Sequence, residues 1–176
     1  QHGSPRFGGD MDRNEVEIDL NKFMALLQEK SELKDRIRAH EGCVLEPYDD
    51  SLGKLTVGIG HLVQPHERKR FQVGVKITQE EADELFDVDL NRAAAGADEL
   101  IIKNIGNHDD LPKIIHEVLV EMVFQLGKTG VKQFRNFWAS LKEKDFVTAG
   151  AHMKDSRWRK QTPKRCEHLS ELVINA

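Results

Sequence analysis

The stretch EGCVLEPYDDSLGKLTVGIGH, residues 41–61, carries the pattern on which the fold depends. It predicts the end of a helix, a short strand, a tight turn and a returning strand. Three polar side chains occupy different places in this pattern: Glu41 closes the helix, Asp50 lies at the turn, and Thr56 lies on the returning strand. These three side chains are the first candidates for chemistry.

The two carboxyl groups are expected in unlike environments. A carboxyl at a helix C-terminus faces the negative end of the helix dipole and the last free carbonyl groups, which disfavour its ionised form. Glu41 is therefore a candidate general acid, whereas Asp50 lies in a polar turn that favours the carboxylate. Such a pair is typical of glycoside hydrolysis, and the Thr56 hydroxyl can hold a water. Taken singly, a Glu before a capping glycine and an Asp in a turn are also common structural features.

The spacing of the three residues resembles the active site of the T4-type bacteriophage lysozyme family, a Glu followed by eight residues, an Asp, five residues and a Thr. Two further blocks resemble the family in the same order: EMVFQLGKTGV at residues 121–131 and SRWRKQTPKR at residues 156–165. Together the resemblance covers about residues 33–165.

The resemblance implies an α+β, lysozyme-like fold with two lobes, formed by residues 31–176. A small β-sheet lobe and a mainly helical C-terminal lobe would be joined by a long helix. The expected parts are the small lobe at about 42–78, the connecting helix at about 79–99, and the helical lobe at about 100–176 together with helix 31–41.

Residues 1–30 are expected to be an N-terminal extension, a disordered tail followed by an amphipathic helix. Apolar residues recur at helical spacing over residues 14–29. Packing of this helix on the body is the default expectation, and binding of a partner is the alternative.

Local signals place several elements within the domain. Short strands are expected at residues 45–48, 55–59 and 73–77. The sequence TQEE, beginning at Thr78, is a capping box that predicts the start of the long helix. Residues 114–126 are nearly all apolar on their inner faces and predict the buried central helix of the C-terminal lobe.

The activity implied by the resemblance is that of an endo-acting muramidase. It would hydrolyse the β-1,4 bond between N-acetylmuramic acid and N-acetylglucosamine in peptidoglycan, with inversion. Glu41 would protonate the leaving oxygen, and Asp50 and Thr56 would position the water. The remaining site residues implied are substrate contacts at Leu62, Phe124, Phe137 and His152, and supporting residues His61, Asp89, Gln125 and Arg165.

Some of these positions allow another interpretation. Leu62 and Phe124 serve a packed core as readily as a substrate, because apolar and aromatic residues do both. Phe137 and His152 depart from the polar residues expected at those positions, which leaves the details of substrate recognition open. His61 is interpreted as structural, paired with Asp89 as in the family.

Other classes of function remain as alternatives. A lytic transglycosylase uses one catalytic Glu, and the presence of both Asp50 and Thr56 argues against it. A catalytically silent or tethered lysozyme-fold module is the second alternative, and the intact Glu-Asp-Thr set argues against it. A nucleic-acid binder would fit only the basic C-terminal third and explains none of the three motifs.

Composition limits the partners. The net charge is −4, although basic residues are in excess from residue 128 onward, which suits an anionic polymer such as a cell wall. No apolar run reaches membrane length and no secretory leader is visible, so we expect synthesis in the cytoplasm, action on the cell wall (the host periplasm if phage-encoded) and no membrane insertion. A secreted source is the alternative. We expect a monomer that binds peptidoglycan and no nucleic acid.

No metal or cofactor is implied by the sequence. The eight His residues form no HExxH pattern, and the two cysteines, Cys43 and Cys166, have no metal-ligand spacing. Free thiols are favoured. A disulfide is the alternative, because the segments after Glu41 and after Arg165 lie near each other in the family fold.

Overall fold

The computed structural model describes residues 13–176, except for the side chain of Glu15. The described residues divide into two units, with the boundary between Arg36 and Ile37. The predicted tail over residues 1–10 lies outside the described part. Over residues 13–176, no helix is both long and apolar enough to cross a membrane.

The first helix, α1, spans Arg13–Glu41, so the boundary between the units falls inside one helix. The sequence had predicted two helices, 14–29 and 31–41. That break is wrong, because residues 29–33 contain neither Gly nor Pro and consist mainly of residues that favour a helix. The packing of residues 14–29 on the body stays a prediction.

Three antiparallel strands follow α1 and confirm the small sheet of the α+β prediction. They are β1 (Val44–Asp49), β2 (Leu55–Gly58) and β3 (His61–Leu62), paired in the order β1-β2-β3. Tyr48 lies opposite Thr56, and Val57 opposite His61.

The predicted third strand at residues 73–77 is wrong. The chain turns back directly after β2, so that β3 takes the third place in the sheet. Val73 and Val75 are exposed, and Ile77 reaches the sheet through one backbone hydrogen bond to Leu45. The residue types favour a strand here, but no neighbouring strand pairs with the segment. The small core beneath the sheet is formed by Val57, Val63, Phe71, Ile77 and Ala82.

Helix α2 spans Gln79–Asn104 and begins as its capping box predicts. The Thr78 hydroxyl accepts a hydrogen bond from the Glu81 amide, and the Glu81 carboxylate accepts one from the Thr78 amide, both at 3.1 Å. The predicted connecting helix ends about five residues later than expected. Its buried face has helical spacing and consists of Ala82, Phe86, Leu90, Ala93, Gly96, Ala97, Leu100 and Ile101.

The rest of the chain is helical, which completes the α+β fold. A single 3-10 turn, His108–Asp110, connects α2 to α3 (Lys113–Lys132). Helix α3 is interrupted at Gly127, whose φ of 76° is not helical. Its fully buried residues Ile115, Val118, Leu119 and Met122 confirm it as a central helix. The last helices are α4 (Arg135–Lys142), α5 (Phe146–Lys154), α6 (Arg157–Gln161) and α7 (Pro163–Ile174).

Candidate active site

Glu41 is the last residue of α1, and its carboxyl group is held by an ion pair with Arg165. Gly42, with a φ of 68°, ends the helix as a C-terminal glycine commonly does. Arg165 on α7 donates from Nη1 to Glu41 Oε1 over 2.5 Å. The sequence argument considered only the helix end and did not include this ion pair, because Arg165 lies 124 residues away in the sequence.

Gly60 packs directly against the Glu41 carboxyl group. A Cβ atom on Gly60 would lie 2.5 Å from Glu41 Oε2, a separation that no real Cβ tolerates. Gly60 also has a φ of 69°, in the left-handed region that favours glycine. The β2–β3 turn can therefore approach the carboxyl only because this residue has no side chain.

A buried ionic network stands behind Glu41. Glu121 on α3 is fully buried; it accepts a hydrogen bond from Arg165 Nε over 3.0 Å and lies 2.7 Å from His40 Nδ1. Arg165, only 8% exposed at its side chain, thus joins two carboxylates. The Nη2 atom of Arg165 is buried without a partner among residues 13–176.

Glu121 and His40 were missed as site residues by the sequence reasoning. Glu121 lies inside the motif at 121–131, in a helix that is otherwise apolar on its buried face. A charged residue on such a face is almost never fully buried unless it is paired, and this was the available signal. His40 gave no such signal, because its partner is 81 residues away in the sequence.

Asp50 and Thr56 lie at the β1–β2 hairpin. Asp50 Oδ1 accepts the backbone amides of Leu52 and Lys54 at 2.9 and 2.8 Å, which orders the turn and holds the side chain. Thr56 is buried, and its hydroxyl donates to the Lys54 carbonyl over 3.0 Å. The turn therefore fixes both side chains by its own backbone.

Tyr48 links the three catalytic candidates. It is paired with Thr56 across the hairpin, and directly opposed residues present their side chains on the same face of a sheet. Burial raises the pKa of the Tyr48 phenol, and the charges of Glu41 and Asp50 raise it further. The phenol therefore lies within the electrostatic reach of both carboxyl groups.

His61 connects the sheet to α2. Its Nδ1 lies 2.7 Å from Asp89 Oδ2, and its Nε2 lies 3.1 Å from Glu67 Oε1. Burial acts to lower the pKa of His61, but the hydrogen bonds and charges of Asp89 and Glu67 outweigh it, so the pKa is raised. Glu67 was not singled out from the sequence.

A cleft of about 570 Å³ begins at Gly60, beside Glu41, and runs along α2 and α3. Leu62, Phe124 and Gln125 line it, together with His61 and Asp89. Leu62 is 43% exposed, which makes it available for contact, whereas Phe124 also packs edge-on against Phe86. Glu41, Asp50 and Thr56 are not part of the cleft lining, so the cleft approaches the catalytic candidates through Gly60.

Phe137 and His152 line a second depression of about 420 Å³, and Leu126 contributes to both cavities. Phe137 is only 1% exposed and packs against Phe134 and Trp138. Its burial favours a core role at this position.

Gln125 orders the cleft from the side of α6 and α7. Its amide donates to the Thr162 hydroxyl over 3.0 Å, and its carbonyl accepts from Trp158 Nε1 over 2.9 Å. Two of these residues, Trp158 and Thr162, belong to the block at 156–165 that carried the resemblance. The motif therefore anchors one cleft residue by hydrogen bonds.

The cysteines do not face each other as a disulfide. Cys43 is an exposed free thiol and Cys166 a buried one. In the described part of the chain, the one group of side chains that could hold a metal ion is Asp98, His108 and His116, none of which lines either cavity.

The sequence of the chain matches the model of a known protein family and is similar to several known proteins. The family model described as phage lysozyme matches residues 38–172. The chain is 30% identical over 163 residues to "Probable T4-type lysozyme 2" of Dictyostelium discoideum, which covers 79% of this chain and 91% of that protein.

Two larger phage proteins are also similar. "Peptidoglycan hydrolase gp36" of Pseudomonas phage phiKMV is 32% identical over 126 residues, 69% of this chain and 13% of that protein. "Pre-baseplate central spike protein Gp5" of Enterobacteria phage T4 is 27% identical over 188 residues, 94% of this chain and 30% of that protein. The chain belongs to the phage lysozyme family, of the T4 type, and is a glycoside hydrolase.

Proposed function

We propose that the chain is an endo-acting muramidase of bacterial peptidoglycan. It hydrolyses the β-1,4 bond between N-acetylmuramic acid and N-acetylglucosamine. Support for the substrate comes from the family and from the peptidoglycan hydrolase that the chain resembles. The place of action is then the bacterial cell wall.

Glu41 acts as the general acid, and Asp50 with Thr56 holds the attacking water. The observation that carries this assignment is the β1–β2 hairpin, which holds Asp50 by two backbone amides and Thr56 by the Lys54 carbonyl. The charges of Glu41 and Asp50 both raise the pKa of Tyr48, which lies opposite Thr56. The Asp50 hydrogen bonds fall on Oδ1, which leaves Oδ2 for a water. Attack by a water held opposite the acid inverts the anomeric carbon.

Arg165 and Gly60 are positioning residues for the acid. Arg165 fixes the Glu41 carboxyl by a direct hydrogen bond, and Gly60, which lines the cleft, packs against that carboxyl without a side chain. Proton donation requires Glu41 to be protonated when the substrate binds.

The glycan occupies the cleft along α2 and α3. Leu62 and Phe124 offer apolar contact, and Gln125 offers an amide already held in place by Trp158 and Thr162. The cleft volume of about 570 Å³ is within the usual range of ligand sites. His152 in the second depression is a further contact along an extended polymer.

Digestion of purified peptidoglycan tests the assignment. The native chain is expected to release hydrated muropeptides, with the α anomer formed first at the new reducing end, as resolved by mass spectrometry and NMR. Glu41→Gln and Asp50→Asn should each lower the rate by at least about a hundredfold, the scale of general acid–base catalysis. Asp49→Asn, an exposed neighbour of Asp50, is the matched control and should retain activity.

The other outcomes separate the alternatives. Anhydro products would identify a lytic transglycosylase, and a β anomer formed first would contradict inversion. Full activity of Glu41→Gln would remove Glu41 from the mechanism. The second candidate function is a lysozyme-fold module tethered within a larger protein. It is favoured by the similarity of the chain to a spike protein, 30% of whose length is covered by the match. If the native chain releases no products but still binds peptidoglycan, it is a catalytically inactive form of that module.

A further inference from the structure

Three side chains from separate elements meet at the connection between α2 and α3. Asp98 lies on α2, His108 begins the 3-10 turn, and His116 lies on α3. His108 Nε2 lies 3.1 Å and His116 Nε2 lies 3.0 Å from the same oxygen, Asp98 Oδ1. The two imidazole centres are 4.8 Å apart.

The positions of these atoms suit a metal ion. One donor atom from each residue lies within 4.8 Å of the others. Ligands about 2.0–2.1 Å from a tetrahedral zinc ion are separated from one another by about 3.3 Å. The separations of 3.0 and 3.1 Å from Asp98 Oδ1 need to open only slightly, and the two imidazole nitrogens lie within 4.8 Å of each other. Two imidazole nitrogens and a carboxylate oxygen are ligands that zinc-like ions accept and that magnesium does not favour.

Access and coordination number are consistent with the same ion. The side chains of Asp98, His108 and His116 are 45%, 36% and 33% exposed, so an ion can enter from solvent. Three protein ligands leave a fourth position for water. A metal-free alternative uses the same contacts, with both Nε2–H groups donating to the one carboxylate oxygen. An ion would replace those protons and bind the lone pairs.

We propose that Asp98, His108 and His116 form a binding site for a divalent transition-metal ion of the zinc type. The ion joins α2, the 3-10 turn and α3, and so closes the connection between two helices that both line the cleft. Because the unfolded chain does not hold these three ligands together, binding of the ion stabilises the folded state.

Zinc titration of the untagged, chelator-treated chain tests the site. Isothermal titration calorimetry should give one zinc ion per chain, and the unfolding temperature should rise with zinc and not with magnesium. Asp98→Asn, His108→Asn and His116→Asn should each weaken zinc binding by about tenfold or more and so reduce the zinc-dependent rise at a fixed zinc concentration. His66→Asn, an exposed histidine outside the site, and Cys43→Ser, an exposed thiol, are matched controls and should bind as the native chain does.

The outcomes are separable. The unfolding temperatures of the three variants in excess chelator show that each is folded before zinc is added. Absence of saturable zinc binding by the native chain would overturn the proposal. So would unchanged binding by any two of the three ligand variants, or loss of binding in Cys43→Ser, which would move the ion to another place.

Discussion

The buried network behind Glu41 makes a quantitative prediction for Glu121→Gln. The amide keeps the shape of the side chain but removes the charge that compensates Arg165. Glu121 is fully buried and the Arg165 side chain is only 8% exposed, so solvent does not replace the lost interaction. Removing one partner of a buried ion pair costs about 3–5 kcal/mol of unfolding free energy.

The lower end of that range applies here. Arg165 keeps its hydrogen bond to Glu41, and the amide oxygen can still accept one bond, from Arg165 or from His40. We therefore expect a loss of about 3 kcal/mol. In a chain of this size, 1 kcal/mol shifts the unfolding temperature by roughly 2–4 °C, so Glu121→Gln should unfold about 6–12 °C below the native chain.

Thermal unfolding followed by circular dichroism measures the shift, and Asp83→Asn is the matched control. Asp83 pairs with Arg38 over 3.4 Å, but these side chains are 45% and 48% exposed. Exposed pairs contribute at most about 1 kcal/mol, so the control should shift by less than about 4 °C. Equal shifts for the two variants would refute the argument that burial makes the Glu121 network decisive.

Three further predictions concern the site and its surroundings. Gly60→Ala places a methyl group against the Glu41 carboxyl at a residue whose φ is 69°. The variant should lose about 1–3 kcal/mol of unfolding free energy and most of its peptidoglycan hydrolysis. An unchanged rate of clearing of a turbid peptidoglycan suspension would contradict this. The pKa of His61 is raised in the folded chain above its ordinary value of 6.5, so protonation of His61 stabilises the folded state. This stabilisation is fully present at a pH below 6.5 and is lost as the pH rises through the pKa of the folded state. Asp89→Asn should therefore flatten the fall in unfolding free energy as the pH rises above about 6.5 in urea titrations, and an unchanged profile would exclude this pair as its source. Cys43 is exposed, whereas Cys166 is buried and burial raises the pKa of its thiol. Iodoacetamide should therefore label Cys43 in the native chain and Cys166 only after unfolding, as measured by mass spectrometry. Equal labelling of both thiols in the native chain would contradict the buried position of Cys166.

Local signals were sufficient for the elements that depend on local interactions. The capping box at Thr78 identified the start of α2 because its two hydrogen bonds join residues only three positions apart. The apolar spacing of α3 identified a central helix because the helical period alone determines which residues share a face. The place of β3 was mistaken, because residues 73–77 favour a strand by composition but find no partner strand.

Only part of the candidate site could be predicted from the sequence. The spacing of Glu41, Asp50 and Thr56 is visible in the sequence, and the hairpin that carries the last two is a local structure. Their catalytic roles stay predictions. The burial of Phe137 could not be predicted from local sequence, because it depends on how the helical lobe packs aromatic rings such as Phe134 and Trp138 against it.

The amino-acid sequence by itself determined the family, the fold class and the order of the main helices, because these follow from short-range spacing and periodicity. Only the tertiary structure decided what surrounds the Glu41 carboxyl and which side chains meet at the α2–α3 connection. Arg165 reaches Glu41 across 124 residues of sequence, and Asp98 meets His116 across 18. Such contacts depend on how whole helices pack against one another, and no periodicity along the chain records that packing.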